Sequence, residues 1–145
     1  MAHFSSKTLK CLRDAGWNEE YQADLNKLKK WEKVWDCKYP PVVERFYQNF
    51  GELEIKVPKQ NIVVSVAELS RTQYIQILLG LFDHPCETKL AHKIGESILI
   101  KVGEIDVYEE ILMDSKGRVF TIVEGANIRF LSTVPDEAIE LLCAN

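Results

Sequence analysis

The reactive side chains most concentrated in this chain are carboxylates. The stretch VGEIDVYEEILMD, residues 102–114, holds Glu104, Asp106, Glu109, Glu110 and Asp114. Two such carboxyls with different proton affinities can act as general acid and general base in a hydrolase. The same groups can instead be a solvated sheet edge, where charge discourages the addition of a foreign strand. In a third reading they are an acidic docking surface, with Tyr108 as its aromatic anchor. Residue types and spacing leave all three open.

Histidine and cysteine offer less. His84, Cys86 and His92 form H-P-C-x5-H, which has two features of a zinc site but neither a nearby fourth ligand nor paired CxxC or HxxxH spacing. A Cys86–His dyad would need partners that converge in space, and nothing local supports one. There is no G-x-S-x-G, Walker loop or dinucleotide fingerprint. No metal or cofactor is expected, and an ordinary polar loop accounts for the segment. Cys11, Cys37, Cys86 and Cys143 are widely spaced and are expected to be reduced, partly buried thiols.

The elements that must position these groups change character along the chain. The segment leading to Gly16 reads as a helix that Gly16 closes in the left-handed conformation, with Trp17 falling past the cap and folding back onto Leu12. Asn18 is the expected N-cap of a second helix, whose stripe Tyr21, Leu25, Leu28, Trp31 and Trp35 steps by three and four. That stripe reads as core packing more readily than as a binding box. Pro40 and Pro41 suit the start of a third helix, with Val42, Val43, Phe46, Tyr47 and Phe50 as its apolar face and Gly51 as its cap. A strand containing Leu53, Ile55 and Val57 comes next and is expected to stop at Pro58. IVVSV at 62–66 reads as a second short strand, residues 69–82 as a helix, and HPCETKLAHKIG as a loop.

Beyond Ser97 the residues are short β-branched and aromatic runs: 98–102, 109–114, 118–124 and 127–131. Asp114-Ser-Lys-Gly117 suits a type I turn, or a bulged hairpin with Gly117 left-handed. Both faces of RVFTIVE are apolar, as in a strand covered on both sides. STVPDEAIELL reads as a closing helix with Thr133 as N-cap and Val134, Ala138, Leu141 and Leu142 facing inward. The expected class is α+β: a mainly antiparallel β-sheet flanked by N-terminal helices and a closing C-terminal helix, in a single domain over residues 1–145.

Charge narrows the partners. The net charge is −4, but residues 1–95 balance at +2 and residues 96–145 at −6. An acidic C-terminal third repels nucleic acid, whose binding requires clustered Lys and Arg, and attracts a basic protein. Neither a membrane-spanning apolar run nor a signal-peptide h-region is apparent, so a cytoplasmic protein is expected.

In order and spacing, LRDAGW, VVERFYQNFGELEI, IGESILIKVGE, ILMDSKGRVFTI and IRFLSTVPDEAIELL together resemble the third subfamily of the SUKH superfamily of bacterial immunity proteins. The resemblance spans essentially the whole chain. It differs from the common pattern at two places: Gly51 is followed by Glu52 instead of a second glycine, and Tyr21 stands where an arginine is frequent. The resemblance implies a compact α+β fold, no catalysis, and a cytoplasmic protein that neutralises a cognate secreted toxin, frequently a nuclease. The expected partner-binding residues are Glu104, Asp106, Tyr108, Glu109 and Glu110, the glutamates and aspartate supplying charge and the tyrosine buried contact. The competing expectations are a scaffold module of the same superfamily and a small enzyme using Cys86 or the acidic cluster.

Overall fold

The computed structural model describes residues 4–36, 38–60, 70–77, 99–105, 109–123 and 128–144. In chain order these form α1 (Ser6–Asp14), α2 (Asn26–Trp35), α3 (Pro41–Phe50), β1 (Glu54–Gln60), β2 (Ser70–Ile77), β3 (Leu99–Ile105), β4 (Glu109–Asp114), β5 (Val119–Val123), β6 (Ile128–Ser132) and α4 (Pro135–Ala144). The six strands make one antiparallel sheet in the order β1-β2-β3-β4-β5-β6. Among the described residues each strand pairs with the next one along the chain, and the α+β class expected from the pattern holds.

Local chemistry explains the ends of α1. Ser5 is the N-cap, its hydroxyl accepting from the Thr8 N–H. Gly16 has φ +100°, its N–H donates to the Arg13 carbonyl, and the Trp17 N–H donates to the Leu12 carbonyl. This is the expected Schellman closure, in which the left-handed residue satisfies carbonyls that the last helical turn leaves open. It sets the Trp17 indole beside Phe4 and Phe50, at centroid separations of 6.1 and 6.2 Å. The Trp17 Nε1–H reaches the Asn49 carbonyl at 3.1 Å.

The second helix starts later than Asn18. The Asn18 side chain accepts from the Glu20 N–H and its carbonyl from the Tyr21 N–H, which makes a single turn. The chain then runs irregularly, with the Ala23 N–H bonded to the Gln48 carbonyl, until α2 begins at Asn26. Leu28 is buried on the helix, whereas Tyr21 and Leu25 reach the core from outside it. Tertiary bonding to α3 has replaced the first turns of the expected helix.

The third helix has the expected proline start and buries Val43, Phe46, Tyr47 and Phe50. Its cap differs. Gly51 has φ −59°, and the left-handed residue is Glu52 at φ +64°. Glycine is required at 51 for closeness: a Cβ there would meet the Tyr47 carbonyl oxygen and come within 2.6 Å of the Tyr47 ring.

Two further expectations are corrected. Pro58 does not end β1, which continues to Gln60 with Pro58 opposite Thr72. As β1 is the sheet's first strand, a proline there can leave its missing N–H on the unpaired side. Residues 70–77 are a strand and not part of a helix. The β-branched and aromatic types at 72, 74, 75 and 77 favour extended backbone, and pairing with both β1 and β3 supplies the ladder. The stretch 62–66 and the segment HPCETKLAHKIG lie outside the described residues, as do Cys37, His84, Cys86 and His92.

The main core lies between the helices and one face of the sheet. It joins Leu12, Leu28, Phe46 and Ile139 to Ile55, Ile100, Val102, Ile111, Met113 and Val119. Leu99, Leu112 and Phe120, of opposite parity in their strands, form a second buried cluster with Ile122 and Ile128 against it. The two-sided apolar pattern of RVFTIVE therefore has its physical cause in β5: Val119 belongs to one cluster and Phe120 to the other.

The closing helix starts at Pro135 and buries Ala138, Ile139 and Cys143. Val134, expected to face inward, is 49% exposed, and Thr133 precedes the helix by two residues. The sharp entry is held by the Ser132 hydroxyl, which donates to the Val134 carbonyl at 2.8 Å. Between α3 and the start of α4 lies a cleft of about 350 Å³ whose lining includes Val42, Arg45, Phe46, Pro135 and Asp136.

Candidate protein-interaction surface

The acidic stretch is split between β3 and β4, and antiparallel pairing folds it back on itself. Glu104 stands directly opposite Glu110, and Glu109 opposite Ile105. Like charges across a ladder repel. Lys101 relieves the repulsion: its Nζ is 2.8 Å from Glu104 Oε1 and 3.8 Å from Glu110 Oε1. The Lys101 and Glu104 side chains are 15% and 21% exposed and Glu110 38%, so the outermost carboxylate of this triad is Glu110.

Regular strand geometry would not assemble it. Residues three apart in a strand point to opposite faces. Between Lys101 and Gly103 the β3–β4 register shifts, and Val102 has no opposite partner. This bulge inserts one residue and reverses the parity of the strand beyond it. Val102 and Ile105 consequently both face the main core, and Lys101 and Glu104 meet on the other side.

Asp114 is withdrawn from the acidic surface. It is fully buried. Its Oδ1 accepts from the Lys116 and Arg118 N–H groups, both at 2.9 Å, and its Oδ2 from Arg118 Nε at 2.6 Å. With Gly117 left-handed at φ +89° and its N–H on the Asp114 carbonyl, the carboxylate holds a hydrogen-bonded turn whose fourth residue is the left-handed glycine expected of a bulged hairpin. Gly117 packs against Val42 and Pro135, where a Cβ would come within 2.8 Å of Val42. The turn thereby docks onto α3 and α4.

Of the five expected partner-binding residues, Glu104 and Glu110 are thus brought together on one face of adjacent strands, whereas Glu109, opposite Ile105, stands on the other face by strand alternation. Asp106 and Tyr108 lie outside the described residues. The sequence reading missed the apolar continuation of this face. Glu110 is opposite Ile122, and Ile122 opposite Ile128; in the next row Leu112 is opposite Phe120, and Phe120 opposite Phe130. Phe130 is 59% exposed. The alternation of apolar Ile128 and Phe130 about Arg129 carried a signal for this row, but not for which side is covered.

Among the described residues no helix is long and apolar enough to cross a membrane, and no group of three or more His, Cys, Asp or Glu is placed to hold a metal ion. Comparison with curated proteins and with solved structures gives no match. The family model described as SUKH-3 immunity protein matches residues 4–145, nearly the full length. The four helices and six strands all fall within that span, and the chain belongs to the SUKH-3 immunity protein family.

Proposed function

We propose that this protein neutralises a cognate secreted toxin, a nuclease, by forming a stoichiometric complex with it in the cytoplasm, without turnover. Family membership supports the immunity role. The observation that carries the nuclease reading is electrostatic: residues 96–145 balance at −6, and strand pairing sets Glu104 directly opposite Glu110. A nuclease must hold phosphates and presents a basic site. An acidic inhibitor surface speeds encounter with such a site and competes with its substrate. In this reading Glu104, Asp106, Glu109 and Glu110 contribute charge and Tyr108 contributes buried contact.

Co-expression with the toxin encoded beside its gene tests the proposal. Growth should be restored and a one-to-one complex should co-purify. Killing that persists despite abundant folded protein, with no complex formed, would remove the immunity reading. A complex whose toxin cleaves no nucleic acid would remove the nuclease assignment alone.

A further inference from the structure

Phe130 is held in place while most of its ring faces solvent. A run of contacts leads to it from the buried turn. Asp114 holds Arg118 at 2.6 Å, the Arg118 guanidinium lies 6.0 Å from the centroid of the buried Phe120 ring, and Phe120 meets Phe130 edge-on at 5.8 Å and 70°. Exposing a large apolar ring forgoes burial that the fold could otherwise gain. A ring already oriented by its neighbours loses little further freedom when a partner covers it. Those are the properties of an interface anchor.

The surroundings indicate what would cover it. Phe130 stands on β6, two strands from Glu110 and two residues beyond its row, a separation of about 12 Å at ordinary strand spacing and rise. Ile122 and Ile128, both half-buried, continue the Glu110 row, and Phe130 follows Ile128 on the same face of β6. One patch therefore runs from carboxylates through branched apolar groups to an aromatic ring. We infer that the patch formed by Phe130, Ile128 and Ile122 is the apolar half of the toxin-binding surface, and that it receives a protein patch in which a cluster of Lys or Arg borders an apolar pocket. The inference rests on the immunity reading. It adds an anchor outside the acidic stretch and separates two tasks: the glutamates govern the rate of encounter, and Phe130 governs the lifetime of the complex.

The test uses the full-length chain and the purified toxin domain encoded beside its gene, inactivated in its catalytic site, with association and dissociation followed by surface plasmon resonance. Phe130→Ala is expected to weaken binding about tenfold or more, mainly through faster dissociation, while Glu110→Gln slows association and flattens its salt dependence. Ile128→Thr keeps a β-branched residue on β6 and should weaken binding severalfold, which guards against a Phe130 variant that misfolds. Val34→Ala, at a comparably exposed residue of α2, should bind as the parent does. Binding of folded F130A and I128T within twofold of the parent overturns the inference while leaving the immunity reading intact. A parent chain that binds no toxin overturns both. Capture of a single-stranded oligonucleotide that F130A abolishes also overturns it, by making the ring a base-stacking platform.

Discussion

Lys101 donates to Glu104 at 2.8 Å from three residues away on the same strand, a contact that exists because the bulge at Val102 turns both side chains to one face. The ammonium also stands 3.8 Å from Glu110. Lys101→Met keeps the stem's packing and removes the charge, leaving Glu104 and Glu110 opposed. The loss should be about 1 kcal/mol, read as a lower thermal midpoint. About 0.5 M salt should recover part of it by screening, whereas a midpoint insensitive to salt would show that the triad is held by packing.

Gly51 and Glu52 should respond in opposite directions. Gly51→Ala drives a Cβ into Tyr47, and because one of the atoms it meets is backbone, the helix end must shift. A loss of about 2 to 3 kcal/mol is expected. Glu52→Gly relieves a left-handed residue at a strain of about 1 kcal/mol and gives up the Lys27–Glu52 pair at 3.1 Å, worth about 0.5 kcal/mol at most at that exposure. Chemical denaturation should therefore show a small gain. It should also bring the Tyr21 phenol, raised by burial and by the Glu52 carboxylate, back toward its ordinary range in a spectroscopic titration.

Acid sensitivity should trace to Glu140. Burial pushes its carboxyl up, but the Ser5 N–H at 2.7 Å, the Ser5 hydroxyl at 2.8 Å and the Thr8 hydroxyl at 2.9 Å outweigh that and hold it below its usual 4.5. Since α1 has no acid in its first turn, Glu140 supplies from α4 the negative charge that a helix N-terminus favours. A lowered carboxyl contributes stability that is complete above its unfolded-state value and is lost as pH falls through the folded-state value. Glu140→Gln should be less stable than the parent at neutral pH. The two denaturation midpoints should converge below pH 4.5, and a constant gap down to strongly acid pH would contradict this.

The Cys143 thiol should be inert in the folded protein. It is fully buried. Burial first, and then Cys11 and Glu140, push it up to about 12, so almost none is thiolate near neutrality. Alkylation of the peptide carrying Cys143, followed by mass spectrometry, should keep pace with global unfolding. Rapid labelling of the native protein at about pH 8, near the ordinary thiol range, would contradict its placement.

What the residue pattern already determined are the features closed within a few residues: the Gly16 closure of α1, the proline start of α3 and the Asp114–Gly117 turn. In each, the deciding hydrogen bond or steric restriction is local, as short-range turn and cap chemistry requires. Tertiary structure decided the rest. Residues 70–77 are a strand because β1 and β3 flank them, and α2 starts late because Ala23 bonds to Gln48 on α3. The candidate surface divides the same way. Its carboxylates were visible as composition, but their convergence on Lys101 needed a one-residue bulge, and the exposure of Phe130 depended on which side of the sheet the helices cover. Periodicity marks an apolar face; only long-range packing determines whether that face is buried or left to meet a partner.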